Sequence, residues 1–153
     1  MHIESTLLVL GEAQIKAQPG VTPGQTLKTL IGSGKYPTDR IRLALANYEP
    51  NTVEQLHWHP IEACYFVISG EAIVRDINGK EYTAGPGSVI YCPPGIAGAH
   101  EWEVRESLQL LSIRASTESD RKMQFTVDKK TMRSFVDLDD LAKRNAISFK
   151  SHY

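Results

Sequence analysis

The chain has 153 residues, a length that suits one domain with a single hydrophobic core. Its composition, 41% hydrophobic and 23% charged, is that of an ordinary globular protein. The formal net charge of -1 comes without a basic block, so composition gives no argument for a nucleic acid or an anionic membrane as partner. The N-terminus has neither a basic region nor an apolar run long enough for a secretion signal, and we therefore expect a cytoplasmic protein.

Short segments rich in apolar and β-branched residues alternate with glycine and proline turns along most of the chain. Residues 1–40 are broken at Pro19-Gly20, Pro23-Gly24 and further turns, which predicts an N-terminal arm or lid of short irregular strands and turns. Residues 41–115 form the predicted core of the domain, with strands over 41–48, 53–58, 62–69, 71–77, 80–83, 88–92, 99–104 and 107–113. Strands this short, without helical periodicity between them, are typical of an antiparallel sandwich or barrel.

Residues 116–153 are predicted to be an extension of the same domain, with a strand and one C-terminal helix. Within 136–147, Leu138, Leu141 and Ala142 have helical spacing, and Asp137 suits the N-cap position. We expect this helix to pack on the outside of the barrel or on a partner.

The motif that carries most chemistry is His57-Trp58-His59. Two histidines one residue apart on a strand point to the same face, because side chains alternate with period two. Imidazole is the commonest protein ligand for transition metals. By the same alternation Gln55 should face inward and orient a substrate or a metal-bound water, although a buried amide bonded to the backbone fits equally well.

Two segments resemble the motifs of the cupins. The stretch from His57 to Gly70 resembles the first motif, and residues 87–95 followed by His100 resemble the second. The resemblance covers about residues 40–115. It implies a double-stranded β-helix, or jelly-roll barrel, of the RmlC-like type, with a metal held inside by His57, His59 and His100. Closed β-domains of this size often pair as symmetric dimers, as many cupins do, so we expect a homodimer.

The chain departs from the family pattern after the histidine pair. Ala63 occupies the position where the family usually has a glutamate ligand, and Glu62 lies one residue earlier. A slip of one residue turns a strand side chain to the opposite face. A β-bulge after Pro60 would bring Glu62 inward as a fourth metal ligand. Otherwise three histidines hold the metal alone, and Glu62 faces solvent or accepts a hydrogen bond from a ligand histidine.

Three protein ligands leave adjacent positions on a metal open for water, a chelating substrate and dioxygen. With the displaced carboxylate, the chain is similar to the three-histidine acetylacetone and dihydroxyacetophenone dioxygenases. This resemblance implies a mononuclear dioxygenase that cleaves a small enolisable or phenolic substrate. The expected cofactor is one divalent transition metal, Fe(II) before Zn(II), Ni(II) or Mn(II). The alternatives are a metal-dependent isomerase, cyclase or lyase, and a barrel that binds a small ligand without turnover.

Three further side chains complete the predicted pocket. Tyr65 shares the alternation of Ala63 and is the candidate acid/base or hydrogen-bonding group, the alternative being a packed tyrosine with a satisfied hydroxyl. Trp102 lies two residues after His100 and should form a wall for an apolar part of the ligand. Arg75 would clamp a substrate carboxylate if it faced inward, and would be a surface charge if it faced outward.

Overall fold

The computed structural model describes residues 1–115 and 124–136, and these ranges contain ten β-strands and two short 3-10 turns. The predicted all-β fold is confirmed, and the strands at 41–48 and 53–58 begin and end where the sequence predicts them. The 3-10 turns are Glu12–Gln14 and Ile96–Gly98. The strands are β1 (Gln18–Pro19), β2 (Gln25–Ile31), β3 (Ile41–Tyr48), β4 (Val53–Trp58), β5 (Ala63–Asp76), β6 (Glu81–Ala84), β7 (Val89–Cys92), β8 (His100–Ala115), β9 (Phe125–Asp128) and β10 (Arg133–Val136).

Strands β5 and β8 form the centre of the fold. They pair antiparallel over nearly their whole lengths, from Ala63 opposite Arg114 to Asp76 opposite His100. On the other side of β8, β3 pairs with its C-terminal half and β4 with its N-terminal half. On the other side of β5 lie β7 and β6, while β2 and β1 extend the sheet beyond β3. This antiparallel arrangement is that of a jelly-roll barrel, with the core between its sheets.

The sequence predicts two strands where β5 runs and two where β8 runs, whereas each is one continuous strand. Gly70 lies at the bend in β5, with a φ of +83°. A Cβ at this position would stand 2.0 Å from the carbonyl oxygen of Ser107, so only glycine fits between the two strands. Because the register shifts between Val67 and Ala72, odd-numbered residues face inward before the bend and even-numbered residues after it.

Strand β4 has a neighbour on each edge. It pairs with β8 on one edge and, at His57 and Trp58, with β9 of the β9–β10 hairpin on the other. The indole of Trp58 stacks on Phe125 at 4.2 Å between ring centroids, and its Nε1 donates a hydrogen bond to Ser134 Oγ over 2.8 Å. Trp58 therefore points away from the interior, as strand alternation predicts, and anchors the strand that carries the histidine motif.

The N-terminal arm predicted over 1–40 contains the seven-residue strand β2, which pairs antiparallel with β3 as part of the sheet, with a register shift between Thr29 and Ile31. At the other end, Val136 is the last residue of strand β10, and the rest of the helix predicted over 136–147 lies outside the described residues. Within the part of the chain that the structure describes, no helix has the length and apolar character needed to cross a membrane.

Candidate metal centre and the adjoining cavity

Three buried histidines meet inside the barrel. His57 lies in β4, His59 follows that strand directly, and His100 is the first residue of β8. Their exposed fractions are 1%, 3% and 3%. Ring centroids are 4.4 to 5.7 Å apart, and one ring nitrogen of each histidine lies within 4.8 Å of the others. The fold thus brings together the three histidines that the two motifs contain.

Backbone carbonyls orient two of the rings. His57 Nδ1 lies 2.6 Å from the carbonyl oxygen of Gln55, and His100 Nδ1 lies 2.9 Å from that of Gly98. A carbonyl can only accept a hydrogen bond, so both Nδ1 atoms carry the proton and both Nε2 atoms keep a lone pair. Gly98 is required at its position, because a Cβ there would stand 2.0 Å from the carbonyl oxygen of Pro93.

The surroundings of His100 Nε2 indicate whether this cluster fits a metal ion. The atom is buried and makes no hydrogen bond within the described ranges. An unsatisfied buried lone pair is destabilising, and coordination of a divalent ion would satisfy it. Burial, with a smaller contribution from His57, lowers the pKa of His100 to about 3. The ring is therefore neutral at pH 7, as a ligand must be, and the donor set fits a divalent transition metal.

A β-bulge in β4 determines which side chains reach this centre. Glu54 pairs with Trp102 and His57 with His100, so three steps along β4 correspond to two along β8. As a consequence Gln55 is exposed, and Glu54 is buried with 7% of its surface accessible. The prediction that the Gln55 side chain faces inward is wrong. Gln55 contributes its main-chain carbonyl instead, and Glu54 takes the inward position.

Glu54 is held beside the histidines by a chain of hydrogen bonds. Its Oε1 lies 3.6 Å from His57 Nε2, and its Oε2 accepts a hydrogen bond from the Tyr48 hydroxyl over 3.2 Å. The Tyr48 oxygen accepts from Gln25 Nε2 at 2.7 Å, and Gln25 Oε1 accepts from the Val21 amide at 2.9 Å. Burial, followed by the charge of Glu54, raises the pKa of Tyr48 well above its ordinary value, so this hydroxyl stays a neutral donor.

Sequence reasoning missed both Glu54 and Tyr48. Tyr48 shares the alternation of Ala44 and Ala46 in β3, and this pattern would have placed it inside. Strict alternation places Glu54 outside, because the bulge that turns it inward has no local signature in the sequence.

Glu62 lies on the outside of the barrel. The pairing of β5 with β7 starts at Ala63 without a register shift, so no bulge turns the preceding side chain inward. The Glu62 side chain is exposed and hydrogen-bonds with Tyr91 on β7. The alternative in which Glu62 becomes a fourth metal ligand is therefore excluded, and the carboxylate beside the histidines belongs to Glu54.

Tyr65 and Trp102 both point inward, as their alternation predicts. The Tyr65 ring lies 5.7 Å from that of His100 and 5.5 Å from that of Trp102. Its hydroxyl accepts a hydrogen bond from Arg114 Nη2 over 3.4 Å. Burial, opposed by Arg114, raises the pKa of Tyr65 to about 12, so the hydroxyl remains protonated near neutral pH. Trp102 is packed in the hydrophobic core rather than exposed as a pocket wall.

Arg75 is a surface charge. It donates hydrogen bonds to three carboxylates, those of Glu81 at 2.8 Å, Glu101 at 3.2 Å and Glu103 at 2.7 Å. The register shift at the bend in β5 sends Val74 inward and its neighbour Arg75 outward. The inward carboxylate clamp predicted as one possibility for Arg75 is therefore not formed.

A cavity of about 260 Å³ adjoins the histidine cluster between β2, β3 and β8. Glu54 and Tyr65 line it, and they also contact the cluster. The turns of the N-terminal arm at 19–21 and 32–34 border it. A second cavity, of about 500 Å³, lies along β6 and β7 and reaches His100 from the other side. The other polar residues that line the first cavity include Gln25, Arg42, Tyr48, Ser112 and Arg114.

Comparisons with known proteins agree with this geometry. The cupin domain family matches residues 44–114 of the chain. The polyketide cyclase RemF from Streptomyces resistomycificus has a TM-score of 0.63 and 21% identity, covering 72% of this chain and 80% of that one. An oxalate decarboxylase variant from Bacillus subtilis has a TM-score of 0.65 and 17% identity, covering 82% of this chain and 34% of that one.

An RmlC-like cupin from Shewanella frigidimarina is also similar, with a TM-score of 0.61 and 15% identity over 76% of this chain and 96% of that one. A comparison with curated proteins gives no match. At these identities the solved structures establish the fold alone. The jelly-roll barrel and the three histidines agree with the match of residues 44–114 to the cupin domain family.

Proposed function

We propose that this cupin is a metal-dependent enzyme that removes a proton from a small enolisable carbonyl compound, as an isomerase, cyclase or lyase does. The observation that carries the proposal is the buried carboxylate of Glu54, whose Oε1 lies 3.6 Å from Nε2 of His57. A carboxylate at the edge of a metal centre is suited to accept a proton from a substrate bound at that centre. Its position supports acid–base chemistry in the adjoining cavity.

His57, His59 and His100 are the residues that would hold the ion. A divalent ion there would polarise a carbonyl oxygen and favour the anionic form of the substrate. Three imidazoles bring no negative charge, so the centre is suited to an anionic oxygen ligand. We propose Fe(II) first and Zn(II), Ni(II) or Mn(II) after it, since imidazole serves all of these metals.

Hydrogen bonds from the residues around Glu54 orient its carboxylate for proton transfer. Tyr48 donates to Oε2, which leaves Oε1 directed at the histidine cluster. Gln25 fixes the Tyr48 hydroxyl from the arm side. Tyr65 keeps its proton near neutral pH and is therefore suited to donate a hydrogen bond to a substrate oxygen, not to act as the base.

A dioxygenase that cleaves a small enolisable or phenolic substrate is the second candidate. The observation that favours it is that the described residues able to hold the metal are three histidines, with Glu62 on the outer surface. Both candidates start with loss of a proton from the substrate. They differ in whether dioxygen is then consumed.

The test is proton exchange and oxygen uptake measured on the same preparation. The protein is loaded anaerobically with Fe(II) or Zn(II) and supplied with β-diketones and hydroxyacetophenones in D2O. We expect metal-dependent deuterium exchange without oxygen consumption, and slower exchange in Glu54→Gln than in the matched exposed control Glu49→Gln. Stoichiometric oxygen uptake would select the dioxygenase. Binding with neither exchange nor uptake would overturn both and leave a non-catalytic ligand-binding barrel.

We also propose a homodimer. The outer face of β5 and β7 carries exposed apolar side chains, and an exposed patch of this kind marks an association surface. These side chains are Phe66, Ile68, Val89 and Tyr91. Light scattering after size exclusion should give twice the chain mass for the parent protein and a lower mass for Phe66→Ser. A monomeric parent protein at all concentrations would contradict the proposal.

A further inference from the structure

One outer face of the barrel is apolar across four neighbouring strands, β3, β8, β5 and β7. Directly paired residues of adjacent strands have their side chains on the same face, so the register defines rows of neighbours. Two such rows face outward here, because the residues that alternate with them are buried in the core. We call these rows the outer strip: Leu43, Ile113, Cys64 and Tyr91 in one, and Leu45, Leu111, Phe66 and Val89 in the other.

The outer strip carries no charged side chain, and much of it is open to solvent. A partner could therefore cover it without removing water from an ion, a step that is costly at charged surfaces. An exposed apolar surface that extends over several strands is typical of an association site. Its fully exposed members are Ile113, Phe66, Val89 and Tyr91.

The N-terminal end of the chain lies across the other end of this face. Leu8 and Leu10 line a cavity of about 210 Å³ together with Leu43, the first member of the outer strip. Glu12 accepts a hydrogen bond from Lys28 Nζ over 2.5 Å. Lys28 is the cross-strand partner of Leu45 and so lies on the same outer face. These contacts place the segment over the β2–β3 end of the sheet.

The segment that crosses the sheet, residues 3–10, has apolar side chains in excess of those that its own sheet covers. Leu7 and Val9 are 84% and 83% exposed, although Leu8 between them and Leu10 after them border the cavity above Leu43. Residues 3–10 belong to none of the strands and turns in 1–115 and 124–136. Single exposed apolar residues are ordinary in proteins, whereas several in one segment indicate a surface that another molecule covers.

We propose that Leu7 and Val9 of one copy bind the exposed part of the outer strip of a second copy, whose own segment does the same in return. The assignment rests on the proposed homodimer and states which parts of the chain form it. A two-fold interface is self-complementary, so one chain has to supply both contacting surfaces. Here it supplies an apolar segment seated at one end of a sheet face and uncovered apolar side chains at the other end.

Cys64 lies within the outer strip and allows the contact to be tested by cross-linking. It is partly exposed, whereas Cys92, the other cysteine of the chain, is buried. Leu7→Cys and Val9→Cys are prepared separately and oxidised with diamide. We expect at least one of them to give disulfide-linked pairs of chains in a denaturing gel, beyond the amount that the parent protein forms. Adding Cys64→Ser should abolish the link, and the matched control Val53→Cys, at an exposed apolar residue of β4, should form none.

The strength of the dimer provides the second measurement. Leu7→Ser combined with Val9→Ser should raise the dissociation constant of the dimer about 10- to 100-fold, because two large apolar side chains no longer become buried. Val53→Ser is the matched control and should dissociate as the parent does. Sedimentation velocity over a dilution series measures all three proteins, and urea unfolding checks that each is folded.

The outcomes distinguish failure of this inference from failure of the homodimer. A disulfide within one chain, or a link that survives Cys64→Ser, would overturn the inference and leave a homodimer of another geometry. A dimer that is equally tight with Leu7→Ser and Val9→Ser would do the same. A parent protein that is monomeric at all concentrations would overturn both proposals.

Discussion

Strand β4 and the first half of β5 both contribute side chains to the barrel interior, but the spacing of their inward-facing residues differs. In β5 the buried residues Ala63, Tyr65 and Val67 alternate regularly. In β4 the inward positions are Glu54 and His57, three residues apart, because one additional residue is inserted opposite β8. The regular strand supplies mostly packing, whereas the irregular strand supplies the acid and a histidine of the candidate centre.

The bulge in β4 has two consequences for the site. It turns the Glu54 carboxylate inward, and it brings the carbonyl oxygen of Gln55 to 2.6 Å from His57 Nδ1. Bulges often occur next to active sites because they redirect a side chain without ending the strand. The acid of the candidate centre and one of its histidines therefore lie where strand alternation fails.

The largest expected effect is loss of the metal from a histidine variant. His59→Ala should lower bound divalent metal from a stoichiometric amount to background, because two imidazoles bind a divalent ion far more weakly than three. Elemental analysis of the purified protein measures this. The matched control is His2→Ala, an exposed histidine distant in sequence from the cluster. Full metal retention in His59→Ala would show that the ligand set is wrong.

The second-largest effect is expected at Glu54, the residue at the bulge whose side chain faces inward while that of its neighbour Gln55 faces outward. Glu54→Gln should lower kcat about 10²- to 10⁴-fold while the metal is retained, as expected when a general base is removed from its place. The readout is the deuterium-exchange rate, with metal content measured on the same sample. Unchanged exchange in a metal-loaded Glu54→Gln protein would exclude Glu54 as the base.

The third expectation concerns pH and the metal-free protein. The pKa of His100 is lowered to about 3 in the folded state, so between pH 6.5 and 3 the unfolded chain binds a proton that the folded chain does not. Stability is therefore full above pH 6.5 and falls as the pH decreases below it, by about 2 kcal/mol between pH 7 and pH 5. Urea unfolding at both pH values measures this difference, and His100→Gln should show a smaller one. If stability depended equally on pH in the two proteins, the pH dependence could not be attributed to His100.

The smallest effect is expected at Gln55. Because this side chain is exposed, Gln55→Ala should change the free energy of unfolding by less than about 0.5 kcal/mol and leave the metal content unchanged. Denaturant titration and elemental analysis measure the two quantities. A large loss of stability or of bound metal would mean that the Gln55 side chain faces inward, and that the side chains of β4 alternate as regularly as those of β5.

The fold class and the three clustered histidines could be predicted from the sequence. Alternating apolar residues and glycine–proline turns are local features, and they predict short antiparallel strands such as 41–48 and 53–58, which the structure reproduces. The pair His57 and His59 is equally local, since residues two apart on a strand share a face. His100 came from its place in the second motif. These predictions succeeded because each depends on spacing along one segment.

Which charged side chains face the interior depends on how the strands pair, and it could not be predicted from the sequence. Glu54 faces inward and Gln55 outward because β4 gains a residue relative to β8. Arg75 faces outward because the register of β5 shifts at its bend. Insertions and shifts of this kind depend on the partner strand, and one residue of difference reverses the face of every side chain that follows. The pairing of Arg42 with Arg114 is likewise a property of two strands distant in sequence, so it became visible only once their register was known.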